Sequence, residues 1–216
     1  MIDYVIDHIP LTTPHNRRPG HPLHATTLTI HNTANPTSTA RNERNWLTNP
    51  SNTATASFHI VIDEKEAIEC IPLGENAWHA GDGSGASSGN MTSIGIEICE
   101  SGNYDRTVEL AAELIASMLT ERGWGTDRLR RHYDWSGKNC PRLMNEDGHW
   151  DGWKAFVEKV DGYMKEEEPM LSPEDANHII LFLSAAYMAT EVGEARAEFN
   201  RLANELRKAS GQPPQP

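Results

Sequence analysis

Short stretches of the chain alternate apolar and polar residues with a period of two. Others space their apolar residues three and four apart. Thr26 to Asn32 (TTLTIHN) alternates as a half-buried strand does. Phe58 to Asp63 (FHIVID) is compact and β-branched, and Ala67 to Ile71 follows it after a Glu64-Lys65-Glu66 turn, which predicts a hairpin. Ser93 to Cys99 (SIGIEIC) predicts a fourth strand. Its alternation sets Ile94, Ile96 and Ile98 on one face and Glu97 with Cys99 on the other.

Helical spacing predicts helices over Ser38 to Leu47 and Asp105 to Arg122. The second has Asp105 as its N-cap, a Gly123 stop, and a stripe of Val108, Ala111, Ala112, Ile115, Met118 and Leu119. A third runs from Trp150 to Met164 with Trp153, Phe156, Val157 and Val160 inward. Gly81 to Asn90, rich in Gly, Ser and Asn, is a long loop of the kind that often carries function. The class is therefore α/β, a mixed central sheet flanked by helices.

The pattern changes near residue 168, where Lys165-Glu166-Glu167-Glu168-Pro169 reads as a charged helix end followed by a breaker. Two helices follow, Pro173 to Thr190 and Val192 to Ser210, before a Gln/Pro tail expected to fray. The first, started at Ser172, carries Ala176, Ile179, Ile180, Leu183 and Tyr187 on one face. The second carries Val192, Ala195, Phe199, Leu202 and Leu206. The expected division is a domain over 1–165 and a C-terminal helical hairpin over 171–210. Some 40 residues make a marginal core alone. The hairpin is therefore expected to pack on the first domain or to pair with a second hairpin.

The 216 residues carry a net charge of −12, which argues against a general nucleic-acid binder and against adhesion to anionic membranes. Arg128, Arg130 and Arg131 offer one local positive cluster. Three cysteines, an odd number, do not make a disulfide framework and suit a reducing compartment. MIDYVIDHIP has no basic n-region and no long apolar run, so no secretory signal is read.

Ten histidines are many for this length and hint at metal chemistry. His31 ends a predicted strand, while His132 and Cys140 straddle a turn in RHYDWSGKNCP. Imidazole nitrogen and thiolate sulfur both suit Zn²⁺, and three protein ligands leave a fourth position for water. Glu97 lies among isoleucines, where a carboxylate costs several kcal/mol unless it is paired or faces a cleft.

Five segments in order, TIHNTA (29–34), ASFHIVID (56–63), AWHAG (77–81), SIGIEIC (93–99) and RHYDWSGKNCP (131–141), carry a resemblance. From residue 24 to about 160 the chain resembles the zinc-dependent N-acetylmuramoyl-L-alanine amidases of phage endolysins, which are related to peptidoglycan-recognition proteins. The resemblance implies one catalytic Zn²⁺ on His31, His132 and Cys140. It places Glu97 on the catalytic glutamate of the Bacillus-type phage amidases, Lys138 on an oxyanion-stabilising position, and His79 in the substrate cleft. Some relatives use a tyrosine hydroxyl where this chain has Phe58, so that route is closed here.

The implied activity is cleavage between N-acetylmuramic acid and L-alanine in peptidoglycan, during phage lysis of a Gram-positive host. The expected site of accumulation is the host cytoplasm, with access to the wall through a lesion made by another protein. Three alternatives stay open: a non-catalytic peptidoglycan-binding module, a muropeptide-recycling amidase and a stem-peptide peptidase. For the hairpin, wall targeting and self-association are the two readings.

Overall fold

The computed structural model describes residues 2–166 and 171–215 and divides the chain into two compact units, Met1–Met164 and Lys165–Pro216. The expected junction at Lys165 to Pro169 falls largely outside the described residues.

The first unit is built on a six-stranded sheet: β1 (Asp3–Ile6), β2 (Thr27–Asn32), β3 (Ile60–Ile62), β4 (Glu66–Glu69), β5 (Ser93–Ile98) and β6 (Leu129–Arg131), in the order β1-β4-β3-β5-β2-β6. Only the β3–β4 hairpin is antiparallel; β1–β4, β3–β5, β5–β2 and β2–β6 are parallel. The fold is thus the expected mixed sheet with flanking helices.

Helices connect and cover the strands: α1 (Ala40–Thr48), α2 (Gly89–Thr92), α3 (Tyr104–Glu121), α4 (Tyr133–Ser136) and α5 (Asp151–Glu166). The period of two sorts side chains onto two faces. On one face Leu28, Ile30, Ile60, Ile62, Ile94, Ile96 and Ile98 pack with Ala111, Ala112 and Ile115 of α3 and Phe156 and Val160 of α5. On the other, Phe58, Val61, Ile68, Cys70 and Cys99 form a second cluster with Ala40 and Leu47 of α1. Cys70 and Cys99 are core thiols, and all three cysteines are free.

Four details differ from the sequence reading. The N-cap of α3 is Asn103, whose side chain accepts a hydrogen bond from the Arg106 amide; Asp105 lies in the first turn instead, where an acid suits the helix dipole. Strands β1 and β6 went unread because three or four residues are too few to give a periodicity. The Gly81 to Asn90 loop ends in the single turn α2. The Arg131 guanidinium, expected to present charge, is spent on Asp134 at 2.5 Å and lies over the Trp150 ring.

The second unit is a hairpin of α6 (Pro173–Ala189) and α7 (Gly193–Ala209). Ser172 caps α6 by accepting from the Asp175 amide. Ala176, Ile180 and Ala203 are buried, but Ile179, expected inward, is exposed, and so is Val192, which serves as the N-cap of α7. In the tail the Gln215 amide donates to Asn204 Oδ1. Among the described residues no helix is long and apolar enough to cross a membrane.

Candidate functional site

Three neighbouring parallel strands, β5, β2 and β6, deliver the site at their carboxyl ends, where open α/β sheets form ligand crevices. The β2–β5 register sets His31 beside Glu97, both on the face opposite the isoleucines. His132 follows directly after β6, whose Arg131 pairs with Ile30 of β2. Cys140 returns on a turn closed by the Tyr133 amide donating to the Cys140 carbonyl at 3.0 Å.

Two further residues, Trp135 and Asn32, fasten this return to the sheet. Trp135 Nε1 of α4 donates to Thr29 Oγ1 at 2.8 Å. Asn32 receives the Leu143 amide on Oδ1 at 3.0 Å, and its own amide points at Cys140 Sγ at 3.5 Å.

One ligand atom from each of His31, His132 and Cys140 lies within 4.8 Å of the others, and all three residues are buried. His31 Nδ1 is 3.0 Å from His132 Nδ1 and 3.9 Å from Cys140 Sγ. The nearest Glu97 oxygen is 4.0 Å from His31 Nδ1. Burial holds the His31 imidazole well below its ordinary value, helped by His79 and His132, and holds His132 down at about 4. Both rings are therefore neutral near pH 7, with one bare nitrogen each.

His132 Nε2 faces the Ala80–Gly81 turn, and the ring hydrogen-bonds that backbone at Ala80. His132 Nδ1 is turned toward His31. Two imidazole nitrogens and a thiol converging in a buried space fit a cation of the imidazole- and thiolate-binding kind. Burial pushes the Cys140 thiol up to about 12, so an ion entering there would displace its proton.

Glu97 stands beside this cluster. Desolvation, reinforced by Glu43 and opposed by Lys138, raises its carboxyl to about 8. Its Oε2 is buried without a hydrogen-bond partner among the described residues. The carboxyl can therefore hold or release a proton near neutral pH, as a general acid–base needs. These groups line a cleft of about 810 Å³ together with Lys138 and the indoles of Trp46 and Trp78. Lys138 is exposed at the rim.

His79 also borders the cleft but is buried, with both ring nitrogens engaged by the protein. His59 is buried behind it and His149 and His178 are exposed. Sequence reasoning passed over Asn90, whose Oδ1 accepts the amides of both His79 and Ala80 at 2.7 and 2.8 Å. It also passed over Gly95. A Cβ there would lie 2.5 Å from the His79 ring, and a glycine inside a strand is the available signal for such a close approach.

Fold and site together define an α/β domain with a His/His/Cys cluster that could hold a metal ion and an adjacent carboxylate on a cleft floor. The family profile described as N-acetylmuramoyl-L-alanine amidase matches residues 20–143, and the chain belongs to that family. It is 48% identical over 136 residues to N-acetylmuramoyl-L-alanine amidase XlyB of Bacillus subtilis (strain 168), covering 61% of this chain and 42% of that protein. The solved catalytic domain of XlyA superposes with a TM-score of 0.66 at 36% identity, over 74% of this chain and 99% of that one. A structure described as a mutant endolysin from Bacillus subtilis gives the same TM-score, identity and coverage. The chain spans about half the length of the curated relatives it matches.

Proposed function

We propose that this protein is a zinc-dependent N-acetylmuramoyl-L-alanine amidase that hydrolyses the amide between the lactyl group of N-acetylmuramic acid and L-alanine in peptidoglycan. The carrying observation is the convergence of His31, His132 and Cys140 beside Glu97, inside the segment that matches the family. The setting we infer is phage lysis of a Gram-positive host, supported by the endolysin description of a structural neighbour.

His31, His132 and Cys140 would hold the zinc, the thiolate adding negative charge to it. When bound, zinc lowers the pKa of water to about 7 and polarises a carbonyl. Glu97, at the edge of the cluster, takes the proton from the attacking water and returns it to the departing L-alanine nitrogen. Lys138 at the rim turns its ammonium to the negative charge that develops on the carbonyl oxygen. Phe58 brings no hydroxyl, so the acid–base work falls to Glu97 alone. The intact His/His/Cys set speaks against a purely binding module.

For the hairpin over 171–210 we propose a binding role. The exposed Leu181, Phe182 and Met188 support an interface with a second copy. Sedimentation equilibrium of the full chain reads a dimer if so. A monomer that sediments with purified wall assigns the hairpin to targeting instead.

The test is end-group analysis of purified Gram-positive sacculi after digestion, with and without a chelator. New N-terminal alanine without new reducing sugar ends is expected, lost on chelation and restored by zinc. New reducing ends, or a different new N-terminus, would mean another bond. Wall binding with no new ends would leave a recognition module.

A further inference from the structure

Behind the proposed metal cluster three buried histidines stand in a row. His31 Nε2 lies 3.1 Å from His79 Nδ1, and the two rings meet edge to face at 90°. His79 Nε2 lies 3.0 Å from the Ser93 carbonyl oxygen. His59 packs against the far side of His79, with ring centroids 5.8 Å apart.

Hydrogen-bond bookkeeping along this row has one solution. A carbonyl oxygen only accepts, so His79 must carry its proton on Nε2 and donate it to Ser93. In the neutral ring this leaves Nδ1 as a lone pair, which can only accept. The partner at 3.1 Å, His31 Nε2, must therefore be the donor and hold the His31 proton. His31 Nδ1 is then the bare nitrogen, the one lying 3.0 Å from His132 Nδ1 and 3.9 Å from Cys140 Sγ.

The row is itself anchored. His59 accepts the Gly95 amide on Nδ1 at 2.9 Å, so its Nε2 donates to the Glu75 carbonyl at 2.8 Å. The absent side chain of Gly95 makes the room: a Cβ there would overlap the His79 ring at 2.5 to 2.9 Å. Asn90 holds the His79 backbone.

We propose that His79 is a positioning residue that fixes His31 in the tautomer protonated on Nε2, so that Nδ1 is the nitrogen offered to the metal. A ligating histidine commonly donates its second N–H to a carboxylate, carbonyl or water. Here the acceptor is a second imidazole, set in its own tautomer by a backbone carbonyl. His79 acts through His31, and neither of its nitrogens is left to hydrogen-bond substrate. The proposal rests on the reading of His31, His132 and Cys140 as metal ligands.

The test is a ¹⁵N imidazole NMR spectrum of the wild-type full chain, metal-free and after adding zinc. The expected result is a His31 proton on Nε2 in both states, with the zinc-induced shift on Nδ1. A His31 proton on Nδ1 in the metal-free protein, or a zinc shift on Nε2, overturns the proposal. His79→Phe keeps a ring of similar size but no acceptor. Zinc affinity by chelator competition should fall roughly 10–100-fold in this variant, with cooperative unfolding of the metal-free protein retained. Unchanged affinity in a folded His79→Phe protein overturns the proposal. Failure of the wild type to bind one zinc removes the metal reading instead, and the metal-free tautomer still decides the role of His79.

Discussion

The two faces of the central sheet come from the same strands yet serve opposite ends. Toward α3 and α5 every inward position is apolar: Leu28 and Ile30 from β2, and Ile94, Ile96 and Ile98 from β5. Turn one residue along the same strands and the inventory is Thr29, His31, Gly95 and Glu97. The first face is held by burial of area, which tolerates rearrangement among similar shapes. Along β2 and β5 the second is held by directed hydrogen bonds, Trp135 to Thr29 and His31 to His79, while Val61 of β3 and Ile68 of β4 keep the rest of it apolar against α1. A strand period of two therefore lets six residues of β5 build a core and a cleft floor at once. The hydrophobic face supplies the rigidity that the polar face needs to hold its groups in register.

Perturbing the polar face should damage chemistry and spare the fold, and perturbing the apolar face should do the reverse. The largest expected effect is from Cys140→Ser. Zinc affinity falls by more than about 100-fold, since losing a ligand exceeds losing a ligand's supporting partner. Release of N-terminal alanine from sacculi should vanish, while circular dichroism is unchanged. Glu97→Gln comes next. It keeps shape and zinc content but removes the proton carrier, so turnover drops about 10²–10⁴-fold. A Glu97→Gln protein with normal turnover would take the acid–base role away from this residue.

On the opposite face, Ile96→Ala should destabilise the folded state by about 2–5 kcal/mol, because the side chain is fully buried in the core. Turnover per folded molecule should be near normal at low temperature. A large loss of turnover with little loss of stability would break the division of labour between the faces.

The smallest effect concerns the support behind the polar face. Glu75, whose carbonyl receives His59, is gripped through both carboxylate oxygens by Arg18 at 2.8 Å. That hydrogen-bonded pairing holds the Glu75 carboxyl below its ordinary value. In the unfolded chain the carboxyl takes up a proton at higher pH than in the folded one. The contribution is therefore fully present above the unfolded value and is lost as pH falls through the folded one. Arg18→Ala should lower the melting temperature near neutral pH and converge with wild type in acid. Melting curves as a function of pH read this directly. Parallel curves would show that the pair contributes nothing.

How much of this was legible in the sequence differs between the faces for the same reason. Alternation is a signal summed over several residues, so the apolar face of β5 and the stripe of α3 could be read from Ile94, Ile96, Ile98 and Ala111 to Leu119. The site rests on single residues brought together from 31, 97, 132 and 140, and spacing alone does not converge them. Their grouping was readable only because five ordered segments resemble a known family. The supporting residues left weaker marks. Gly95 reads as a blemish in a strand until the His79 ring is seen against it. Asn90 sits in a stretch of Gly, Ser and Asn that gives no reason to single it out. β6 is too short to carry any period, yet it is what delivers His132. On the hairpin, α6 is apolar nearly all round, so its inward face could not be fixed, and Ile179 was set on the wrong side.

The central claim is that the polar face of β2 and β5 holds a metal centre made by this chain. A crystal of the zinc-loaded full chain measured on both sides of the zinc absorption edge tests it most directly. The account predicts one anomalous peak, within bonding distance of His31 Nδ1, His132 Nδ1 and Cys140 Sγ and adjacent to Glu97. A peak elsewhere, or none in protein that still releases N-terminal alanine, would contradict it.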